Sequence, residues 1–73
     1  MTGALVLTDL QKQVLELARR REVFASEASR TLGVPVEQLR TAIRGLRRKH
    51  QLYVSSKAKG RYYGSTEAGY RAI

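Results

Sequence analysis

The chain has no cysteine and no tryptophan, and one each of proline, histidine, methionine and phenylalanine among its 73 residues. Without cysteine, neither a disulfide nor a thiolate metal site braces the fold. Long apolar runs are missing as well. The longest near the start, Ala4-Leu5-Val6-Leu7, is too short for a signal-peptide core or a membrane span, so a cytoplasmic protein is expected. The equipment of enzymes is equally sparse. His50 stands alone, no glycine-rich loop is built to cradle phosphate, no carboxylates are paired at a plausible site, and Ser55-Ser56 has no base nearby in sequence. No catalytic residue, metal or cofactor is expected, and the chain is not read as an enzyme. His50 is expected at the end of a helix, where a cation favours the dipole.

Acidic residues are scarce too, six against fourteen basic, and their distribution matters more than the net charge of +8. Residues 1–34 carry five basic and four acidic side chains, a net of +1. Residues 35–61 carry Arg40, Arg44, Arg47, Arg48, Lys49, Lys57, Lys59 and Arg61 against Glu37 alone, a net of +7. From residue 62 onward Glu67 and Arg71 cancel. Surfaces charged only for solubility intersperse the two signs. An excess confined to one segment is the electrostatic footprint of a polyanion binder.

What is present fits one small domain, residues 1–73, with 42% hydrophobic residues for a modest core. After an N-terminal arm, residues 1–7, a first helix is expected over 8–21. Thr8 and Gln11 form a Thr-x-x-Gln capping box, and Leu10, Val14, Leu17 and Ala18 make an apolar stripe. Arg19-Arg20-Arg21 closes that helix at its negative end. Val23-Phe24 should pack against it. A second helix, 26–32, is expected with Ser26 as its cap, stopped by Gly33 in the left-handed conformation open to glycine. Pro35 then suits the start of a third helix, 36–49.

On a helical wheel at about 100° per residue, Leu39, Ala42, Ile43 and Leu46 share one face. Glu37, Arg40, Thr41, Arg44 and Arg48 share the other, with Gln38 and Arg47 on the flanks. Arg40, Arg44 and Arg48 stand at i, i+4, i+8. Such a like-charge ladder disfavours the isolated helix unless something supplies the opposite charge. Arginine is suited to bidentate contact with phosphate or with guanine O6 and N7. Gly45, mid-helix, marks either a close helix–helix approach or a tolerated cost of about 1 kcal/mol.

From Leu52 the pattern turns to period two, predicting a hairpin over 52–65. Lys59-Gly60 would turn the chain, Ser56 would pair with Tyr63 and Val54 with Ser65, and Tyr63 would point inward with Tyr62 outward. Lys57, Lys59 and Arg61 would then cluster at the tip. Residues 66–73 read as a final turn of helix capped by Thr66. The terminal apolar stretches, residues 4–7 and 70–73, either cover the core or support a homodimer.

These residues resemble a winged helix-turn-helix. The stretch from Glu27 to Val34 is similar to the family's positioning helix and turn, with Ser29 where alanine is commoner. Leu39, Ala42, Ile43 and Leu46 match the apolar positions of its recognition helix. The stretch from Arg61 to Gly69 resembles the wing strand and exit of PadR- and MarR-type repressors, with Ser65 where a leucine is common. The resemblance covers about residues 8–70. It implies a mainly α fold with a small β-hairpin (α+β), three helices plus a two-stranded wing. It further implies binding of double-stranded DNA, with the third helix in the major groove and the wing on the backbone or minor groove.

By that carry-over Glu37, Gln38, Arg40, Thr41 and Arg44 are candidate base readers, and Arg47, Arg48, Lys57, Lys59 and Arg61 candidate backbone or wing contacts. The extra helices that PadR- and MarR-type proteins use for dimerisation and effectors are missing, so no small-molecule effector is expected. The function this implies is that of a small, nucleoid-associated transcriptional regulator, of the size of phage or plasmid regulators. The competing readings are an excisionase-like architectural protein, and a winged-helix module that docks an acidic protein or serves within a larger nucleic-acid machine.

Overall fold

The computed structural model describes residues 6–62 and 65–73, with side chains outside 58–66. In chain order it contains α1 (Asp9–Arg20), α2 (Ala25–Leu32), α3 (Val36–Arg48), β1 (Leu52–Tyr62) and β2 (Ser65–Ala72). Three helices and a two-stranded antiparallel hairpin make an α+β arrangement consistent with a winged-helix layout. Among the described residues no helix is long and apolar enough to cross a membrane.

The first helix starts as its sequence dictates. Thr8 Oγ1 accepts the Gln11 N–H at 3.1 Å, and Gln11 Oε1 accepts the Thr8 N–H at 3.0 Å, so two otherwise orphaned donors are satisfied reciprocally. Gln11 does more than cap. It is buried, and its Oε1 also accepts from Lys49 Nζ at 3.3 Å, while that ammonium donates to the Val6 carbonyl at 2.6 Å. Lys49, counted in the basic segment, therefore ties the end of α3 to the start of α1. Gly45 lies at the same junction: a Cβ there would stand 2.4 Å from Gln11 Nε2. Of its two readings, close helix–helix approach is the one observed.

The core is built where the three helices meet. Val14, Leu15 and Ala18 of α1 are buried with Ala25 and Ala28 of α2 and Leu39, Ala42, Ile43 and Leu46 of α3. Leu10 and Leu17, expected in the α1 stripe, pack against this cluster partly exposed, while Leu15 is the side chain that goes in. Val23 and Phe24 are buried as expected, and Val23 also exchanges two backbone hydrogen bonds of 2.8 Å with Tyr70. Of the terminal apolar stretches, Leu7, Tyr70 and Ala72 pack on the core, whereas Val6 and Ile73 are exposed.

Two local expectations are corrected. The second helix begins one residue early: Phe24 is its N-cap and makes no side-chain cap. Ser26 instead lies inside the first turn, where its N–H donates to Glu67 Oε1 at 3.1 Å and its hydroxyl donates to Glu67 Oε2. The cap thus comes from 41 residues away. The third helix ends at Arg48, one residue before the expected Lys49, and His50 follows at that helix end with φ 58°. His50 N–H reaches Arg47 O at 3.0 Å and Gln51 N–H reaches Leu46 O at 2.9 Å, the hydrogen bonds of a Schellman end in which histidine occupies the left-handed position usually given to glycine. Gly33, with φ 68°, closes α2 in the expected conformation.

The hairpin departs most from expectation. The strand β1 runs through Lys59 and Gly60 to Tyr62, so the expected turn is strand. Val54 pairs with Tyr70 and Ser56 with Gly69, not with Ser65 and Tyr63. Residues 66–72 belong to β2 and are not helical. Register shifts after Val54, Ser56 and Gly60 break the alternation on which a period-two reading depends. Tyr63 and the side-chain directions expected for Tyr62 and Tyr63 lie outside the described residues. Glu22 fastens the hairpin from outside, its carboxylate accepting the Ser55 hydroxyl and lying 2.5 Å from where a Cβ on Gly69 would stand.

Candidate nucleic-acid interface

The face of α3 opposite its buried residues is solvent-exposed at Glu37, Gln38, Arg40, Thr41, Arg44, Arg47 and Arg48. Leu39 and Leu46, fully buried, anchor the other face, so rotating the helix would expose apolar surface and bury arginine. The orientation of the arginines is therefore set by packing and not by the arginines themselves.

The ladder is not uniform. Arg40 Nη1 lies 2.8 Å from Glu37 Oε2, an exposed i, i+3 pair, so its first rung has acidic relief. Among the described residues Arg44 and Arg48 make no ion pair, whereas in α1 Glu16 holds both Arg19 and Arg20. Arg47 sits with its guanidinium carbon 5.8 Å from the centre of the Tyr70 ring, a cation–π arrangement that turns it toward β2. The Thr41 hydroxyl donates to the Glu37 carbonyl at 3.1 Å, which leaves its methyl group and oxygen lone pairs to face outward. Pairing to Arg40 likewise occupies part of the Glu37 carboxylate.

Of the candidate wing contacts, Lys57 is exposed on β1. Lys59 and Arg61 lie further along the same strand rather than at a turn, with Lys59 opposite Glu67, and their side chains are outside the described residues. A cavity of about 270 Å³ separates hairpin from helix, lined by Arg40, Arg44 and Arg47 on the α3 side and by Glu67 and Tyr70 of β2. Glu67 is the residue that sequence reasoning missed at this surface. It stands in a stretch that looks locally helical, and nothing in its neighbours announces a contact with Ser26.

Among the described residues no group of three His, Cys, Asp or Glu is placed to hold a metal ion, and His50 is exposed in its turn. Tyr53 of β1 is 47% exposed. Tyr70 is partly buried against the core and under Arg47. Ser29, where the resembled family more often has alanine, stabilises the turn after α2. Its hydroxyl donates to the Val34 carbonyl, and its own carbonyl accepts from Gly33 and Val34. Comparison with protein-family models, with curated proteins and with solved structures finds no match to this chain.

Proposed function

We propose that the chain binds double-stranded DNA sequence-specifically, as a small transcriptional regulator acting at the nucleoid in the cytoplasm. In this reading α3 enters the major groove, where Glu37, Gln38, Arg40, Thr41 and Arg44 reach base edges. Arg47, Arg48 and the basic strand with Lys57, Lys59 and Arg61 hold the backbone or minor groove. No catalytic step and no cofactor belong to it. The observation that carries it is the exposed face of α3, four arginines and one acid set opposite a fully packed apolar face. A helix is of the right diameter for the major groove, and a phosphate-rich partner supplies the negative charge that Arg44 and Arg48 lack among the described residues.

The test is the salt dependence of duplex binding, measured by fluorescence anisotropy. Neutralising about five phosphates gives a slope of log K against log[salt] near −4.5. A flat dependence for every duplex ends this reading and favours an acidic protein partner. Competition by duplex RNA as strong as by duplex DNA ends major-groove reading, because the RNA major groove is too deep and narrow for a helix. Selection of bound duplexes from a random pool supplies the target, and a palindromic consensus with half-sites about one turn apart reports a two-fold dimer.

A further inference from the structure

Glu67 sits where its charge needs explaining. Its carboxylate accepts the Ser26 N–H and hydroxyl at the first turn of α2, a position that the free N–H groups and the helix dipole favour for an anion. A neutral acceptor would satisfy the same donors. This one is delivered from β2, across the sheet from Lys59, into a cavity whose other wall is Arg40, Arg44 and Arg47. It is the one carboxylate among the described residues that line that cavity. A phosphate approaching the three arginines from the hairpin side meets it.

We infer that Glu67 is a specificity-determining residue of this surface: its carboxylate, pinned by Ser26, excludes phosphate from the cavity between α3 and β2 and so keeps Arg40 and Arg44 available to base edges. The inference rests on the DNA-binding reading. Non-specific binding comes from phosphates alone, whereas specific binding adds base contacts. An acidic group that closes a phosphate site but leaves the base-reading face open therefore weakens the first more than the second.

The test uses Glu67→Gln, which keeps an oxygen to accept from Ser26 and removes the charge. Binding to the duplex selected by the wild-type protein and to a random duplex of equal length is measured across a salt series, with melting temperature as the folding control. Opening one more phosphate site steepens the random-duplex slope by about 0.9, and at 0.1 M salt it strengthens random binding about five- to tenfold. Affinity for the selected duplex changes less, so the specificity ratio falls. Ser26→Ala removes one donor but leaves the carboxylate, and lowers the melting temperature with the ratio unchanged. An unchanged ratio and slope in Glu67→Gln, or weaker binding to both duplexes, overturns the inference.

If Glu67→Gln does not fold, Ala68→Glu adds a second carboxylate to the cavity lining with the Ser26 contact intact. It raises the ratio under this inference, and equal weakening of both duplexes refutes it. Absence of any duplex binding by the wild-type protein removes the proposed function and this inference together. Wild-type binding with an unmoved ratio removes the inference alone.

Discussion

In α1 the single mid-helix acid, Glu16, lies 3.4 Å from Arg19 and 3.8 Å from Arg20. In α3 the single acid, Glu37, stands at the start, 2.8 Å from Arg40, and Arg44 and Arg48 follow with no ion pair among the described residues. Both helices bury one face in the same core and both end in arginine. They differ in where the acid stands along the helix. Placed one turn before the terminal arginines it offsets part of their charge at the end of the helix, and placed in the first turn it leaves the rest of the face positive. The helices also leave differently. From α1 the chain runs on extended, Arg21 having φ −162°, toward the Val23 pairing with β2. From α3 it reverses through left-handed His50 into β1.

The contrast breaks altogether if α3 loses its seat. Leu46→Ala, at a fully buried position, should cost about 2–5 kcal/mol of stability, read as a fall in the urea midpoint, with duplex binding lost alongside the fold. The sharpest test leaves the fold alone. Arg44→Ala should cost about 1–3 kcal/mol of affinity for the selected duplex and relax preference at one base position, whereas Arg19→Ala should change affinity by under about 0.5 kcal/mol. Equal losses from the two would mean that the acid beside Arg19 and its absence at Arg44 do not matter. Equal weakening of all sequences by Arg44→Ala would assign its contact to phosphate.

Gly45→Ala probes the junction that holds the two helices in register. Helix propensity alone favours alanine by about 1 kcal/mol, but the new methyl meets Gln11 Nε2, an amide already engaged with Thr8 and Lys49 through its oxygen. A net loss of about 1–2 kcal/mol is expected in thermal melts, and a gain would show that Gln11 yields cheaply. The smallest effect concerns the exit of α3. His50→Gly relieves the left-handed strain of a side-chain-bearing residue and should stabilise by up to about 1 kcal/mol, with no change in the specificity ratio.

The candidate surface was legible where it is helical. Helical spacing is enough to separate Leu39, Ala42, Ile43 and Leu46 from the arginines, because a helix converts sequence position into direction without help from the rest of the chain. The relief given to Arg40 follows from the same spacing, once Glu37 is recognised as its i, i+3 neighbour. Arg47 was harder, since its partner Tyr70 belongs to a strand whose existence the local pattern hid. The hairpin misled for a related reason. Thr66 followed by Glu67 and Ala68 looks like a capped helix start, and Lys59-Gly60 looks like a turn. Neither signal outweighs the backbone hydrogen bonds that Tyr70 exchanges with Val23 on one side, or its pairing with Val54 on the other.

By itself the sequence determined three helices, the Thr8–Gln11 cap, the left-handed stop at Gly33, the two faces of α3 and the segment that carries the charge. The caps, the stop and the faces depend on residues one to a few helical turns apart, a range over which spacing and propensity govern the backbone, and the charge segment is a matter of composition alone. Tertiary structure alone decided the hairpin register, the strand at 65–72, the Lys49–Gln11 tie and the arrival of Glu67 at α2. The Lys49–Gln11 and Ser26–Glu67 contacts join residues 38 and 41 positions apart, and the hairpin register is fixed with them by the docking of β2 on Val23. Their free energy comes from pairing and burial that exist only once the helices have packed, and no local window of sequence contains it.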